Sequence, residues 1–555
     1  MGVLQTEEAD YYSAVYTSSM REFDYGIMEH DQSTVMTMTC GPDSHLGFGS
    51  LEPLSLVANN RFVAGNKFFN YQQFGALREG SAVSLFSTSY HGLLFATAQS
   101  SIIYAGLRYC MRPTLMHSLR LQRSESSIVI ECLLSIPTTL SFFFGLVSDV
   151  IPLGGYRRKS YMITGTLLSF CMCMGLMILS ATADVHKYTE NQRSSFIVYY
   201  MVLIIGATFG TMLSKIATDA RVIELSQREA LTTRGTLQIN YLLFRTGIEW
   251  VGLWLTAGLV RFDNDKRNYA LRIEPFWVYA MLALLSLVPV PFVLRNCNER
   301  KAQAGSINET IAEDGSAAMI STASCTASAH IATTRFYFGF ADAVLVSMAE
   351  LNPNTTLLTN ALKYVITLIT MIMWKMFWSN SPWRRCVFIG IALMVVTETF
   401  RAIMMLYVPS IRGQAFYDTL GCIPGFTDGI ITIFTLIPAT EIAENGSEGM
   451  LLSFRSTIAI AMRTLSSEWL PNVVPLSRND GTSRLLLFLL VSYAVHAMAF
   501  CSIFLLPRQK LDTQQLRVYG GYSKLASFGI WAIFIVFFVY AMVVNLKAMT
   551  DMASE

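Results

Sequence analysis

Charge is scarce in this chain. Only 14% of its 555 residues are Asp, Glu, Lys or Arg, against about 25% in an ordinary soluble domain. What charge exists nearly cancels, at a net +2, which excludes a strongly basic nucleic-acid binder. Cross-linking and metal frameworks are missing as well. The ten cysteines are scattered, and Cys132, Cys171, Cys173, Cys386, Cys422 and Cys501 sit inside apolar runs, the setting of buried free thiols. No Cys/His spacing suits zinc. Gly-x-Ser-x-Gly and Walker sequences are absent, so neither an enzyme nor a cofactor is expected. The first 80 residues are polar, with acids outnumbering bases up to Glu52, and they hold no basic-then-apolar signal peptide.

Apolar residues are abundant: 52% of the chain is hydrophobic, with 35 Phe, 28 Met and 24 Tyr. A membrane helix needs about 20 such residues in a row. Candidate spans fall at 82–107, 127–148, 160–181, 195–220, 236–260 and 276–294, then at 334–351, 357–378, 386–408, 418–442, 449–472 and 484–506. Between the two sets lies a stretch rich in Ser, Ala and Thr that begins near Arg300-Lys301 and has too little apolar content for a core. Six spans, a linker and six more form the layout of a two-half transporter. The expected organisation is an all-α integral membrane protein. It has a flexible cytoplasmic tail (1–80), a six-helix half (81–294), a cytoplasmic linker (295–333), a second six-helix half (334–506) and a basic connector with an extra hydrophobic helix (507–555). That last run, 525–546, is either a thirteenth span or a helix lying along the interface.

The halves read as repeats. Tyr156-Arg157-Arg158 opens span 3 and Trp383-Arg384-Arg385 opens span 9, while Ala217-Thr218-Asp219 near the end of span 4 matches Ala439-Thr440-Glu441 near the end of span 10. Loop charge favours an N-terminus inside, with the turns at 149–159 and 379–385 and the connector 507–524 cytoplasmic. The contrast is small, because loops 108–127 and 261–275 are also basic.

The most informative segment is Gly145 to Gly165, GLVSDVIPLGGYRRKSYMITG. It joins two apolar runs through Gly145-x-x-x-Asp149 and Gly155-Tyr156-Arg157-Arg158-Lys159. This connector resembles the turn between helices 2 and 3 of major facilitator transporters, and the resemblance supports the inside assignment. Its inserted Pro152-Leu-Gly-Gly155 is similar to the signature of the folate–biopterin transporter family. Asp219-Ala-Arg-Val-Ile-Glu224, then Arg234-Gly235-Thr-Leu-Gln238, and the connector LPRQKLDTQQLRVYGGY also resemble members of that family. The resemblance implies a major facilitator fold and proton-coupled uptake of folates or pterins through the plasma membrane. Some relatives carry S-adenosylmethionine instead.

Two groups of residues then carry the expected function. The gating set is Gly145, Asp149, Gly155, Arg157, Arg158, Asp219 and Glu224. Asp149 caps a neighbouring helix or pairs with an arginine, and the bases pair with carboxylates on the cytoplasmic rim, Asp219 and Glu224 included. The plainer alternative is that these bases anchor the turn at lipid headgroups. The substrate set is Arg245, Glu249, Asp342, Lys363, Asp428, Arg455 and Arg463, charges that need partners or a wet cavity at membrane depth. A carboxylate can accept from adjacent N–H donors of a pterin ring, and Arg or Lys can clamp a glutamate tail. Internal ion pairing is the alternative for each, and it suits Glu398–Arg401, at i and i+3, best. Glu249, Asp342, Asp428, His91 and His496 are the groups able to take a coupling proton. A carrier of S-adenosylmethionine, and a membrane receptor on a carrier fold, remain as competing readings.

Overall fold

In lipid, every backbone N–H and C=O must be satisfied within the protein, so the apolar runs have little choice but helix. The computed structural model describes residues 76–78, 80–118, 133–182, 190–263, 268–299, 355–411, 413–443, 446–473, scattered residues from 486 to 514, and 524–554. The first-half helices are α1 (His91–Ser118), α2 (Ser141–Val150, closing a span that starts at Leu133), α3 (Lys159–Thr182), α4 (Glu190–Ser226), α5 (Thr236–Leu259), α6 (Pro275–Leu287) and α7 (Pro289–Asn296). The second set comprises α8 (Thr355–Met373), α9 (Trp383–Tyr407), α10 (Gln414–Cys422), α11 (Gly425–Ile442) and α12 (Glu448–Val473), followed by α13 (Lys524–Ser554). A short antiparallel ribbon, β1 (Val260–Asp263) and β2 (Asn268–Leu271), occupies the loop after α5.

Local chemistry explains where these helices start and break. The first begins at His91 rather than at 82, because the Ser/Thr-rich approach stays in turns and a tight Thr88–Tyr90 coil, where short hydroxyl side chains compete for the backbone. It also continues to Ser118, well into the stretch read as a loop. Proline, lacking an N–H, splits span 6 at Val288-Pro289 and span 10 at Ile423-Pro424. Seven described stretches are long and apolar enough to cross a membrane. The helices α1, α5 and α12 have 28, 24 and 26 residues, and the last two carry charges within them, Arg245 and Glu249 in α5 and Arg455 in α12. Spans 334–351 and most of 484–506 lie outside the described residues.

The two halves meet along pairs of helices: α2 packs on α12, α5 on α8, and α4 on both α11 and α12. The extra helix α13 packs against α12. Its Phe534 stacks on Phe454 of α12 at 4.6 Å and lies 5.0 Å from Phe142 of α2, while Phe538 meets Phe143 of α2 at 5.6 Å. From Phe528 to Leu546 α13 has apolar residues on all sides. The helix α13 thus packs along the α2–α12 seam. Of the described cysteines, five are buried and free, but Cys171 is exposed. It stands two residues from buried Cys173, hence on the other side of α3.

Candidate functional site

At the end of the bundle that carries the Gly145–Gly165 turn, Pro152-Leu-Gly-Gly makes a reversal in which Gly154 and Gly155 take φ of 63° and 82°. Only glycine adopts these angles without strain, and the reversal delivers Arg157-Arg158 to the start of α3. Glu299, just beyond α7, accepts the backbone N–H groups of Arg157 and Arg158 at 2.9 Å each and of Lys159 at 2.7 Å. It thereby caps α3.

Arg158 is fully buried. Its Nε donates to Glu224 Oε1 at 2.7 Å and its Nη1 to Ser148 Oγ at 2.9 Å. Its Nη2 reaches Asp149 Oδ1 at 2.5 Å and Glu448 Oε2 at 2.8 Å. Asp149 also accepts the N–H of Gly449 at 3.2 Å and of Met450 at 2.6 Å, the first turn of α12, where a carboxylate meets the positive end of the helix dipole. Glu224 is held in addition by Arg221 at 2.5 Å. Arg78, ahead of α1, lies 4.0 Å from Glu224 and in a close ion pair with Glu448. Three acids and three arginines thus neutralise one another across the joint between the halves. Close helix approach makes this possible. A Cβ on Gly145 would fall inside the contact radius of Ser453 Oγ and Gly449 O, so α2 and α12 nearly touch.

The gating residues of the sequence reading separate here. Gly145, Asp149, Arg158 and Glu224 converge, and Arg157 lies against Gly446 of the second half. Lys159 points elsewhere, to Leu294 O at 2.7 Å. Asp219 does not pair with the turn's arginines. It sits five residues before Glu224, about 7 Å deeper along α4, and accepts from Tyr241 at 2.5 Å, with Arg245 at 3.5 Å. The repeat motifs also diverge in use. Arg384 donates to the carbonyls of Leu506 and Phe504 at 2.6 and 2.9 Å, anchoring the end of the 484–506 span rather than an acid cluster.

A second joint lies where α4 meets α5. Arg234 and Gln514 share Glu441 Oε2 at 2.7 and 2.9 Å, and Gln227 donates to the carbonyls of Thr440 and Ala443 at 3.0 and 2.7 Å. Glu229 accepts the N–H of Gly235 and of Leu237 at 2.9 Å each, capping α5. Burial pushes the Glu229 carboxyl up, against these two donors. Glu229→Ala is expected to cost about 1–2 kcal/mol, the usual worth of a lost helix cap. It should lower the thermal midpoint of the purified protein. An unchanged midpoint would show that the cap is replaceable.

Deeper in the bundle, Arg245 lies between Asp219 and Glu249, 3.5 and 3.3 Å away. Lys215, one turn before Asp219 on the same face of α4, interacts electrostatically with Arg245, Asp219, Glu249 and Arg455. Arg245 and Glu249 are therefore brought together with Asp219, and Lys215 and Arg455 lie within electrostatic reach of them. In the second half, Lys363 and Asp428, read separately from the sequence, lie 3.3 Å apart. Asp428 is buried while Lys363 stays partly open. Glu398 and Arg401 form a close i, i+3 pair with Arg401 over the Tyr417 ring at 4.8 Å. His91 contacts Phe86 O at 3.0 Å. Asp342 and His496 lie outside the described residues, as does the side chain of Arg463.

Sequence reasoning missed Arg78, Lys215, Glu299 and Glu448. Lys215 was legible as a charge inside span 4. The other three gave no signal, since each becomes meaningful only when distant segments meet.

Residues 105–245 match the profile of the BT1 family. Over 146 residues the chain is 25% identical to "Probable folate-biopterin transporter 4" of Arabidopsis thaliana, a match covering 26% of each protein. The chain thus spans about a quarter of the length of the curated relative it matches. The resemblance to the folate–biopterin transporters is borne out over the segment that carries the turn. Among solved structures, a bacterial homologue of the iron transporter ferroportin, in an outward-facing state, superposes with a TM-score of 0.53 at 15% identity, covering 75% of this chain and 98% of that one. A D-xylose–proton symporter does so with 0.52 at 12% identity, covering 76% and 99%. These likenesses show the fold: this is a multi-pass membrane protein of major facilitator architecture.

Proposed function

We propose that this protein is a secondary active carrier that imports folate- or biopterin-type pteridines by alternating access, with protons as the coupling ion. The observation that carries the reading is the buried Asp149–Arg158–Glu224–Glu448 cluster between the halves. Buried charge holding a joint shut is costly unless paired, and a joint that must open and close benefits from polar contacts that water can replace. With the turn end at the cytoplasm, the cluster is the inner gate and the halves are closed there. The Lys215–Arg245–Arg455 group would hold a glutamate tail, and Asp428 beside Lys363 would accept the pterin's N–H donors. An anion entering a negative cell is opposed by about 2.3 kcal/mol per charge per 100 mV, which cotransported protons cancel. The plasma membrane is the natural site for such uptake, and no enzymatic step is invoked.

Vesicles carrying the full chain should accumulate labelled folate and biopterin, faster with acid outside. Arg455→Ala and Asp428→Asn should each lower uptake by more than about tenfold, as loss of a partner at a desolvated charge pair does, at unchanged amounts of folded protein. Uptake of S-adenosylmethionine alone, driven by voltage and indifferent to pH, would replace the pteridine reading. Transport of none of the three would favour a receptor on a carrier fold.

A further inference from the structure

The spans of α2 and α12 meet through small and hydroxyl side chains. Ser141 Oγ donates to Ser453 O at 3.2 Å, the Phe142 N–H to Thr457 Oγ1 at 3.2 Å, and Thr457 Oγ1 to Thr139 O at 3.0 Å. Gly145 faces Gly449 with no room for a side chain. Such residues let two helices approach closely, but each hydrogen bond contributes modestly.

The helix α13 covers this seam with rings. Trp531, Phe534, Phe538, Ala541 and Asn545 recur three or four residues apart, on one face. Phe534, Ala541 and Asn545 are buried, while Ile535, Val536, Val539 and Val543 between them are exposed. Toward α12, Phe534 stacks on Phe454 at 4.6 Å and Trp531 meets the same ring edge-on at 5.6 Å. Toward α2, Phe534 and Trp531 lie 5.0 and 5.7 Å from Phe142, and Phe538 meets Phe143 at 5.6 Å. A helix that follows both halves thus touches one helix of each. The chain leading to it does the same: Lys510 Nζ donates to Arg234 O of the first half at 2.7 Å, and Gln514 Nε2 to Glu441 Oε2 of the second at 2.9 Å. The two grips of α13 differ, however. It packs chiefly on α12, where Phe454 is buried, whereas Phe143 on α2 stays 44% exposed.

We propose that α13 is a clasp on the joint between the halves: it travels with α12, and its ring contacts with Phe142 and Phe143 favour the closed joint. The proposal rests on the alternating-access reading above and does not depend on which substrate is carried. Phe143 lies six residues before Asp149, about 9 Å along α2. The clasp therefore grips the same two helices as the Asp149–Arg158 cluster, further along the seam. When the halves part, the contacts between α13 and α2 are the ones that break, while those with α12 persist. An aromatic pair contributes about two- to tenfold to such an equilibrium. A change in how α13 is seated is then felt at the joint without any change at the charges deeper in the bundle.

The test is read on the full-length carrier at Ser148, which is buried in the seam. The readout is the rate at which a Ser148→Cys reporter reacts with a membrane-impermeant maleimide from the turn side, and it needs no substrate. Phe143→Ala and Phe538→Ala should each speed labelling about two- to tenfold. The double variant should be no faster than the faster single one, because the same contact is lost in all three. Phe528→Ala, on the same helix but 73% exposed, should label as the parent does. Phe143 and Phe538 both keep exposed surface, so the thermal midpoint should hold. Where it falls, Phe538→Leu removes the ring but keeps an apolar filler, and it is judged by the same rates. Unchanged labelling in these variants, with faster labelling in Gly145→Val, would overturn the clasp and leave alternating access standing. A double variant as fast as the product of the two single effects would do the same. Unchanged labelling in Gly145→Val as well would mean that the joint does not open, and would overturn both.

Discussion

Replacing Arg158 with alanine should abolish transport and cost the protein about 3–5 kcal/mol, the penalty of breaking a buried ion pair from one side. Arg158 has no exposed surface, and it reaches acids on three segments: Asp149 at the end of α2, Glu224 at the end of α4 and Glu448 at the start of α12. Without it, Glu224 keeps Arg221 and Glu448 keeps Arg78. Asp149 is left with the two amide donors of α12 and no described cation. The expected readout is a lower thermal midpoint, less protein at the membrane, and uptake per folded molecule near background. Arg158→Lys should recover part of the stability but little transport. An ammonium is a point charge on a flexible stem, and it cannot reproduce the planar fork that holds acids on three segments at once. Wild-type uptake and midpoint in Arg158→Ala would remove the cluster from any role as a gate.

Asp149 and Arg158 show how much of this site could be read from the chain. The turn between two apolar runs reads as a joint, with Asp149 in it as either a helix cap or an arginine's partner. In the structure it does both. A carboxylate at a helix end has few options, whatever the surrounding fold. The partners were a different matter. Glu448 lies 290 residues from Arg158, and no local pattern marks it as the acid that would close the cluster. Asp219 differs from its sequence reading for the converse reason: it does not meet the turn's arginines. Its motif matches Ala439-Thr440-Glu441, but a motif fixes a position along a helix and not the neighbour it meets. Tyr241 and Arg245 on α5 claim Asp219, while Arg234 claims Glu441. The fold was easier to read than the site. Hydrophobic length fixes helices in a membrane through the backbone's need for hydrogen bonds, but which charged side chains converge depends on packing between segments far apart in sequence. Lys363 and Asp428 illustrate this: the sequence offers them as separate candidates, and the tertiary fold brings them together.

Gly145→Val should stop transport for a different reason, leaving the helices intact but keeping the inner joint from closing. Any side chain at 145 meets two obstacles on α12, the Ser453 hydroxyl and the Gly449 carbonyl. The hydroxyl could be trimmed, but the carbonyl is backbone and cannot give way unless the helices separate. Overpacking of this kind costs typically about 1–3 kcal/mol. On the alternating-access reading the cost falls mainly on the closed arrangement, since α2 and α12 belong to different halves and would part on opening. A shift of about 1.4 kcal/mol is a tenfold change in the balance between closed and open. That balance can be read at Ser148, which is buried in the seam and donates to Gly145 O. A Ser148→Cys reporter should react roughly tenfold faster with a membrane-impermeant maleimide from the turn side when Gly145 is valine. Adding Ser453→Gly should not restore closure, because the clash with Gly449 O remains. Slow labelling with full uptake in Gly145→Val would mean that the seam tolerates a spacer and is no moving joint. Restoration by Ser453→Gly would place the obstruction at one hydroxyl rather than at the approach of two helix backbones.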